Sequence, residues 1–99
     1  MTDATAEASI GAIRRTLTIA NKRGLHARAA AKFVRTVAQY EAVVRVSFKG
    51  QDVSGLSIMG LMMLAAGIGS DIELSCSGRQ ATEAMAALSA LIESKFGED

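Results

Sequence analysis

The sequence predicts a two-layer α+β domain in which four strands form a sheet and three helices cover one face of it. Three observations support this prediction. Apolar and polar residues alternate in some segments, apolar residues recur at helical spacing in others, and glycine separates the segments in a chain without proline. The 99 residues suit one domain. We expect residues 1–12 to be a flexible N-terminal extension and residues 13–99 to be the folded domain.

Four segments have the alternating pattern of half-buried strands. The first, residues 15–20, alternates threonine with leucine and isoleucine and ends at a polar turn. The others are residues 42–48, 52–54 and 71–77, and we place the shortest of them at an edge of the sheet. Their second face is rich in serine, threonine and charged residues, so we expect it to face water.

Three further segments have the pattern of helices. Residues 27–40 carry a single apolar stripe, and residues 80–94 have the clearest amphipathic pattern in the chain. A shorter helix begins at Ser57, a natural N-cap residue, and ends before Gly67 or Gly69. The resulting order, strand, helix, strand, strand, helix, strand, helix, favours a layer of helices on one side of the sheet.

Composition excludes several classes of function. The 11 basic residues exceed the 10 acidic ones by only one, so net charge does not attract nucleic acid. The three phenylalanines and one tyrosine do not cluster into a base-stacking platform. No apolar run approaches the roughly 20 residues of a membrane span, and the lone cysteine, Cys76, fits a reducing compartment. We therefore expect a cytoplasmic monomer without membrane insertion, nucleic-acid partner, metal or cofactor.

The loop before the first helix holds the strongest candidate for chemistry. His26, the only histidine, falls at or next to the N-cap of that helix, and Gly24 gives the loop a flexible approach. Arg28 lies in the first helical turn, where its guanidinium and the free backbone N–H groups both favour an anion. A neutral imidazole can attack a phosphoryl group. The spacing fits a phosphoryl-acceptor site, and it also fits a histidine that only caps the helix, with Arg28 merely solvated.

Ser57 and the apolar helix that it begins are the second candidate. We expect Met59 and Met63 to face outward, as part of an adaptable patch for a protein partner. The expected buried stripe is Ile58, Leu61, Met62 and Ala65. Phosphorylation of Ser57 would be favoured by the helix dipole and would place about two negative charges beside the patch. Ser57 as a plain cap, and the methionines as core residues, remain alternatives.

Two segments together resemble the HPr family, the histidine phosphocarriers of the phosphoenolpyruvate-dependent phosphotransferase system. Gly24-Leu25-His26-Ala27-Arg28-Ala29-Ala30 is similar to the active-site segment of that family, and Ser57-Ile58-Met59-Gly60 is similar to its regulatory-serine segment. The resemblance extends from about residue 15 to about residue 96. It implies an open-faced β-sandwich, with a four-stranded antiparallel sheet covered on one face by three helices.

The resemblance also implies a function. His26 would accept a phosphoryl group at Nδ1 from Enzyme I and pass it to an EIIA-type protein, while Arg28 steadies the group. Ser57 would be the target of an ATP-dependent HPr kinase/phosphorylase. The chain would be a carrier with a covalent phosphohistidine, not an enzyme. The docking residues implied by the resemblance are Ala27, Arg35, Ile58, Met59 and Met62.

The sequence departs from the family pattern at Ala29. Many sugar-transport members have a proline there, but proline at a helix start only pre-organises the backbone. Ala29, with Lys32-Phe33-Val34 after it, resembles the nitrogen-related branch of the system. One alternative is therefore a regulatory interaction module of that branch without sugar transport. Another is a small ligand-binding or dimerisation domain with an incidental histidine.

Overall fold

The structure is a computed structural model and describes residues 11–98. Most of the predicted N-terminal extension therefore lies outside the described residues, and its flexibility stays a prediction. The elements follow the predicted order. They are β1 (Ile13–Thr18), α1 (Ala27–Val37), β2 (Val43–Phe48), β3 (Gln51–Ser54), α2 (Ile58–Met63), β4 (Asp71–Ser77) and α3 (Ala81–Glu93), followed by a 3-10 turn (Lys95–Gly97).

The four strands form one antiparallel sheet in the order β1-β4-β2-β3, which places β3 at an edge as predicted. The register sets Leu17 opposite Ile72, and Val46 opposite Leu74. These four side chains are buried, so one face of the sheet is continuously apolar. α3 packs against β1 and β4, and α1 packs against both other helices. The predicted fold class is confirmed.

The core lies between this apolar face and the helices. Its largest buried side chains include Phe33 of α1, Leu61 of α2, Leu88 of α3 and Phe96 after α3. Fully burying a side chain of this kind contributes about 1.5–3 kcal/mol, before the entropy of ordering it is counted. Within residues 11–98, no helix is long and apolar enough to span a membrane.

Two predicted elements extend too far at their C-terminal ends. β1 ends at Thr18, because the Ile19 N–H donates to the Ser70 carbonyl at 2.8 Å, outside the strand ladder. α1 ends at Val37, because the Tyr40 N–H donates to the Val37 carbonyl, three residues back, and closes a tighter turn. The end of β1 is set by a contact with a distant loop and the end of α1 by a local tight turn, and hydrophobic periodicity reports neither.

The predicted burial of α2 is partly wrong. Leu61 is buried as expected, but Ile58 and Met62 are 40% and 38% exposed. Ala65 is exposed and lies beyond the helix, with φ of 55°. A helix of six residues offers little more than one turn, and Leu61 and Leu64, three residues apart, fill its inner side. The outward apolar surface is therefore wider than the sequence predicts.

Candidate functional site

The loop between β1 and α1 is held by the segment that follows α2. The Leu25 N–H donates to the Ala66 carbonyl at 3.0 Å, and Gly24 has a left-handed φ of 64°. A Cβ at Gly24 would lie 2.4 Å from that carbonyl oxygen and 2.8 Å from the Gly67 Cα. Because only glycine permits this approach, the contact fixes where the chain enters α1.

His26 is the N-cap residue of α1, as the sequence predicts. Its backbone is extended, with φ of −73° and ψ of 177°, and its carbonyl accepts the Ala30 N–H at 2.8 Å. Its side chain makes no capping bond. The N–H groups of Ala27, Arg28 and Ala29 therefore have no hydrogen-bond partner within the described part of the chain. They are available to an anion at this end of the helix.

The imidazole of His26 is bound by a carboxylate from the far end of the chain. Its Nε2 lies 2.9 Å from Glu98 Oε2 and 3.0 Å from Oε1. The two side chains are only 15% and 17% exposed. An ionised carboxylate can only accept, so Nε2 carries the proton. In the neutral ring the free lone pair is then on Nδ1.

A sharp turn after α3 brings Glu98 to the imidazole. Lys95, Phe96 and Gly97 all have left-handed φ values, of 60°, 56° and 73°. The Phe96 side chain is fully buried, and Lys32 Nζ donates to the Phe96 carbonyl at 2.6 Å. The buried ring and this hydrogen bond anchor the segment in spite of its strained backbone.

Asn21 joins the β1–α1 loop to the same carboxylate. It is completely buried, and its Nδ2 donates to the Gly24 carbonyl at 2.9 Å and to Glu98 Oε1 at 2.8 Å. Since both neighbours are acceptors, only this orientation of the amide fits. Asn21 Oδ1 has no hydrogen-bond partner within residues 11–98.

These contacts make the contribution of Glu98 to the stability of the fold depend on pH. The hydrogen bond from Asn21, and next that from His26, lower the pKa of Glu98, and the positive charge of Arg23 adds to the effect. A carboxyl group whose pKa is lower in the folded chain stabilises the fold fully above its ordinary pKa, about 4.3. This stabilisation is lost as the pH falls through the folded value.

We therefore expect wild type to be more stable than Glu98→Gln near pH 7, and the difference to disappear in acid below the folded pKa. Urea denaturation of both proteins between about pH 7 and pH 2 measures it. Glu83→Gln removes an exposed carboxylate of α3 and serves as the control. A stability difference that stays constant across this range would contradict the prediction.

Arg28 and a shallow depression lie at the same end of α1 as His26. Arg28 is exposed in the first turn of α1 and forms no ion pair with another described residue. The depression has a volume of about 190 Å³, and it is lined by Arg23, Leu25, His26, Ala65, Ala66 and Gly67. One end of α1 thus combines an imidazole, free amides and guanidinium groups, a set that suits phosphoryl oxygens.

Ser57 is the N-cap residue of α2, as predicted. Its Oγ accepts the Gly60 N–H at 2.9 Å. Exposed apolar side chains surround this end of the helix, and Met59 and Met63 are 67% and 72% exposed, as expected. The residues that the resemblance assigns to docking are all at the surface, on two helices that pack together: Ala27 and Arg35 on α1, and Ile58, Met59 and Met62 on α2.

The sequence assigned no role at this site to Asn21, Lys32 or Glu98. Asn21 reads as an ordinary turn residue, and Glu98 lies beyond the segment that carries the resemblance. The available signal was Phe96 followed by Gly97. An aromatic residue just after the last helix calls for burial, and the glycine lets the chain turn back.

Comparison with known proteins identifies the class to which this fold and site belong. A family model described as "PTS HPr component phosphorylation site" matches residues 13–94, most of the chain. The class is that of phosphocarrier proteins. The chain belongs to the HPr family of the phosphotransferase system, as the sequence predicts.

Relatives and solved structures agree with this assignment. The chain is 50% identical to the phosphocarrier protein HPr of Cupriavidus necator, over 87% of this chain and 97% of that protein. It is 38% identical to the phosphocarrier protein NPr of Shewanella violacea, over 87% and 94%. The crystal structure of HPr-C-His from Thermoanaerobacter tengcongensis matches with a TM-score of 0.84 and 44% identity, over 88% of this chain and 98% of that one.

Proposed function

We propose that this chain carries a phosphoryl group on Nδ1 of His26, taking it from Enzyme I and passing it to an EIIA-type protein. One observation carries the proposal: the mostly buried imidazole is at the N-cap of a helix whose first three N–H groups have no partner among the described residues. A nucleophile and an anion-binding helix end therefore meet at one residue. The carrier would work as a monomer in the cytoplasm.

The transfer step uses only groups that this site offers. The Nδ1 lone pair forms a bond to phosphorus, and the bond from phosphorus to the donor breaks, its electron pair leaving on the donor atom. The free amides of α1 and the Arg28 guanidinium stabilise the oxygens. The same exchange with an acceptor restores His26. The chain is thus a carrier with a covalent phosphohistidine, and it has no turnover of its own.

Phosphate transfer from phosphoenolpyruvate by purified Enzyme I tests the proposal. We expect one phosphoryl group per chain, labile in acid and stable in alkali, with phosphorus–nitrogen coupling to Nδ1 in a protein labelled with nitrogen-15. Adding an EIIA-type protein should remove it. An acid-stable label would point to a hydroxyl group and overturn the proposal. So would the absence of label when the same Enzyme I phosphorylates another HPr.

Arg28→Ala should slow phosphoryl transfer by about ten- to a hundredfold, since one charge-assisted hydrogen bond contributes about 1.5–3 kcal/mol. Its stability should change by less than about 0.5 kcal/mol, because the side chain is exposed. Rapid-quench kinetics and urea denaturation measure the two effects. Arg28→Lys keeps the charge without the planar fork and should fall between wild type and Arg28→Ala.

Arg14→Ala is the matched control for net charge. Arg14 is exposed on β1, and alternation with the buried Leu17 places it on the sheet face away from the helices. Its loss should leave transfer unchanged. Equal rates for Arg14→Ala and Arg28→Ala would remove Arg28 from the mechanism.

We further propose that an HPr kinase/phosphorylase phosphorylates Ser57, and that this weakens docking of Enzyme I. The hydroxyl is at the N-terminus of α2, where a phosphate would be favoured by the helix dipole. It would stand among Leu56, Ile58 and Met59, all exposed. About two added negative charges would oppose burial of this apolar surface against a partner.

Ser57→Asp should weaken binding of Enzyme I by about tenfold, because a charge must be desolvated beside the apolar patch. Ser57→Asn is the matched control, since asparagine caps a helix as well as aspartate does but carries no charge. Calorimetry of both variants with Enzyme I measures the effect. The same affinity for the Asp and Asn variants would contradict this account of the regulation.

A regulatory interaction module of the nitrogen-related branch, without sugar transport, is the second candidate. Similarity to an NPr and the alanine that follows Arg28 favour it. Offering the phosphorylated chain to EIIA-type acceptors of the sugar and nitrogen branches separates the two candidates. Faster transfer to the nitrogen-branch acceptor would support the module, and faster transfer to the sugar-branch acceptor would support sugar transport.

A further inference from the structure

We propose that Asn21 and Glu98 form a positioning pair, which holds the His26 ring with Nε2 as donor and so makes Nδ1 the nitrogen that attacks phosphorus. The inference rests on the proposed phosphocarrier function. Both residues would act through the imidazole and not on the phosphoryl group.

The carboxylate selects one tautomer of the ring. Glu98 Oε2 and Oε1 lie at nearly equal distances, 2.9 and 3.0 Å, from His26 Nε2. A proton on Nε2 is therefore shared between two acceptor oxygens. The other neutral tautomer would set the Nε2 lone pair against a negative carboxylate in a mostly buried position.

Asn21 fixes the rotation of that carboxylate. Its Nδ2 donates to Glu98 Oε1 at 2.8 Å, so the same oxygen is shared between Asn21 and His26. A side chain that served only the turn would need the hydrogen bond to the Gly24 carbonyl alone. Asn21 also reaches a residue 77 positions away, and its buried Oδ1 has no partner within residues 11–98. A buried oxygen without a hydrogen bond lowers stability, and here it belongs to the residue that orients the carboxylate.

The carboxylate is placed independently of the histidine. Burial of the Phe96 ring and the hydrogen bond from Lys32 Nζ to the Phe96 carbonyl hold the turn that precedes Glu98. The pair is therefore pre-organised before any phosphoryl group arrives. When Nδ1 bonds to phosphorus and the donor bond breaks, the proton stays on Nε2. The ring then gains positive charge, which the adjacent Glu98 carboxylate balances.

Nitrogen-15 spectra of the His26 ring test the pair without any transfer reaction. We expect wild type to show the Nε2–H tautomer alone at a pH where the ring is neutral. Glu98→Ala should show a mixture, and Glu98→Gln, which keeps an acceptor oxygen, should keep the wild-type tautomer. Glu83→Ala, which removes an exposed carboxylate, is the control.

Steady-state kinetics with Enzyme I, each variant serving as its substrate, give the second readout. For Glu98→Ala we expect kcat to fall by about tenfold at unchanged KM. Removing the carboxylate that orients a metal-bound histidine costs about 10- to 100-fold, and we expect the lower end of that range here. Asn21→Ala should lower kcat less. The double variant should be no slower than Glu98→Ala, because Asn21 acts through Glu98.

The outcomes separate this inference from the proposed function. Suppose that wild type accepts phosphate and that Glu98→Ala has the same kcat and the same single tautomer. This result overturns the proposed role of Asn21 and Glu98 and leaves the phosphocarrier function standing. A wild type that accepts no phosphate overturns the proposed function, whatever the spectra show. The Glu98 variants decide the question even where Asn21→Ala does not fold, because Glu98 follows the last 3-10 turn and lies outside the hydrophobic core.

Discussion

Replacing His26 with alanine should abolish phosphoryl acceptance while the fold remains intact. The chain contains one histidine, so no other imidazole can take over the reaction. The ring contributes to stability through its bond to Glu98 and lies outside the apolar core. Loss of one such hydrogen bond costs about 1–3 kcal/mol, too little to unfold an ordinary domain. Acid-labile label after incubation with Enzyme I, and thermal melting, measure the two effects.

His26→Gln is the matched control for this substitution. The glutamine amide can donate to the Glu98 carboxylate, but it has no nucleophilic nitrogen. It should retain more of the lost stability than His26→Ala and accept no phosphate. Acid-labile label on either variant at the wild-type level would show that the acceptor is not His26. A collapsed fold in both would mean that the loss of acceptance is structural.

The fold could be predicted because the patterns that specify its strands and helices lie within short segments of the sequence. Alternation in 71–77 specifies β4 with its observed bounds, and the apolar stripe after Ala27 specifies the start of α1. The predictions of burial failed where tertiary packing determines which side chains are buried. The short α2 has one inward position in each turn, so Ile58 and Met62 are exposed although their residue types suggest burial.

The candidate site could be predicted only in part, for the same reason. His26 and Arg28 are two positions apart, so one helix start brings them together, and this is visible in the sequence. Asn21 and Glu98 are 77 positions apart, and Lys32 and Phe96 are 64 positions apart. Such contacts depend on the path of the chain after α3, where consecutive left-handed residues turn it back. No sequence periodicity encodes that turn.

The role of Gly24 in the structure differs from the role that the sequence predicts. The sequence predicts that it makes the loop flexible. In the structure it allows the loop to pack tightly, because no Cβ separates it from the backbone of Ala66 and Gly67. Glycine here serves close approach and a left-handed φ, and the loop that presents His26 is held on both sides.

Gly24→Ala should therefore be among the most damaging single changes outside the core. The new Cβ would meet two backbone atoms, at 2.4 and 2.8 Å, which cannot rotate away. A left-handed alanine costs about 1–2 kcal/mol, and separating the loop breaks the bond from Leu25 to Ala66, about 1 kcal/mol more. We expect a loss of about 2–3 kcal/mol in unfolding free energy, with slower transfer because His26 is displaced. Urea denaturation and rapid-quench transfer measure both.

Comparison with Gly50→Ala separates the cost of close approach at Gly24 from the conformational cost of a left-handed alanine. Gly50 also has a left-handed φ, 80° against 64° for Gly24, but no atom lies within 4 Å of its Cβ position. It turns the chain between β2 and β3 at an exposed position. Alanine there should cost only the conformational part, about 1–2 kcal/mol, and leave phosphoryl transfer unchanged. Equal losses for the two variants would mean that the backbone at Gly24 relaxes away from Ala66, and that the segment after α2 does not position His26.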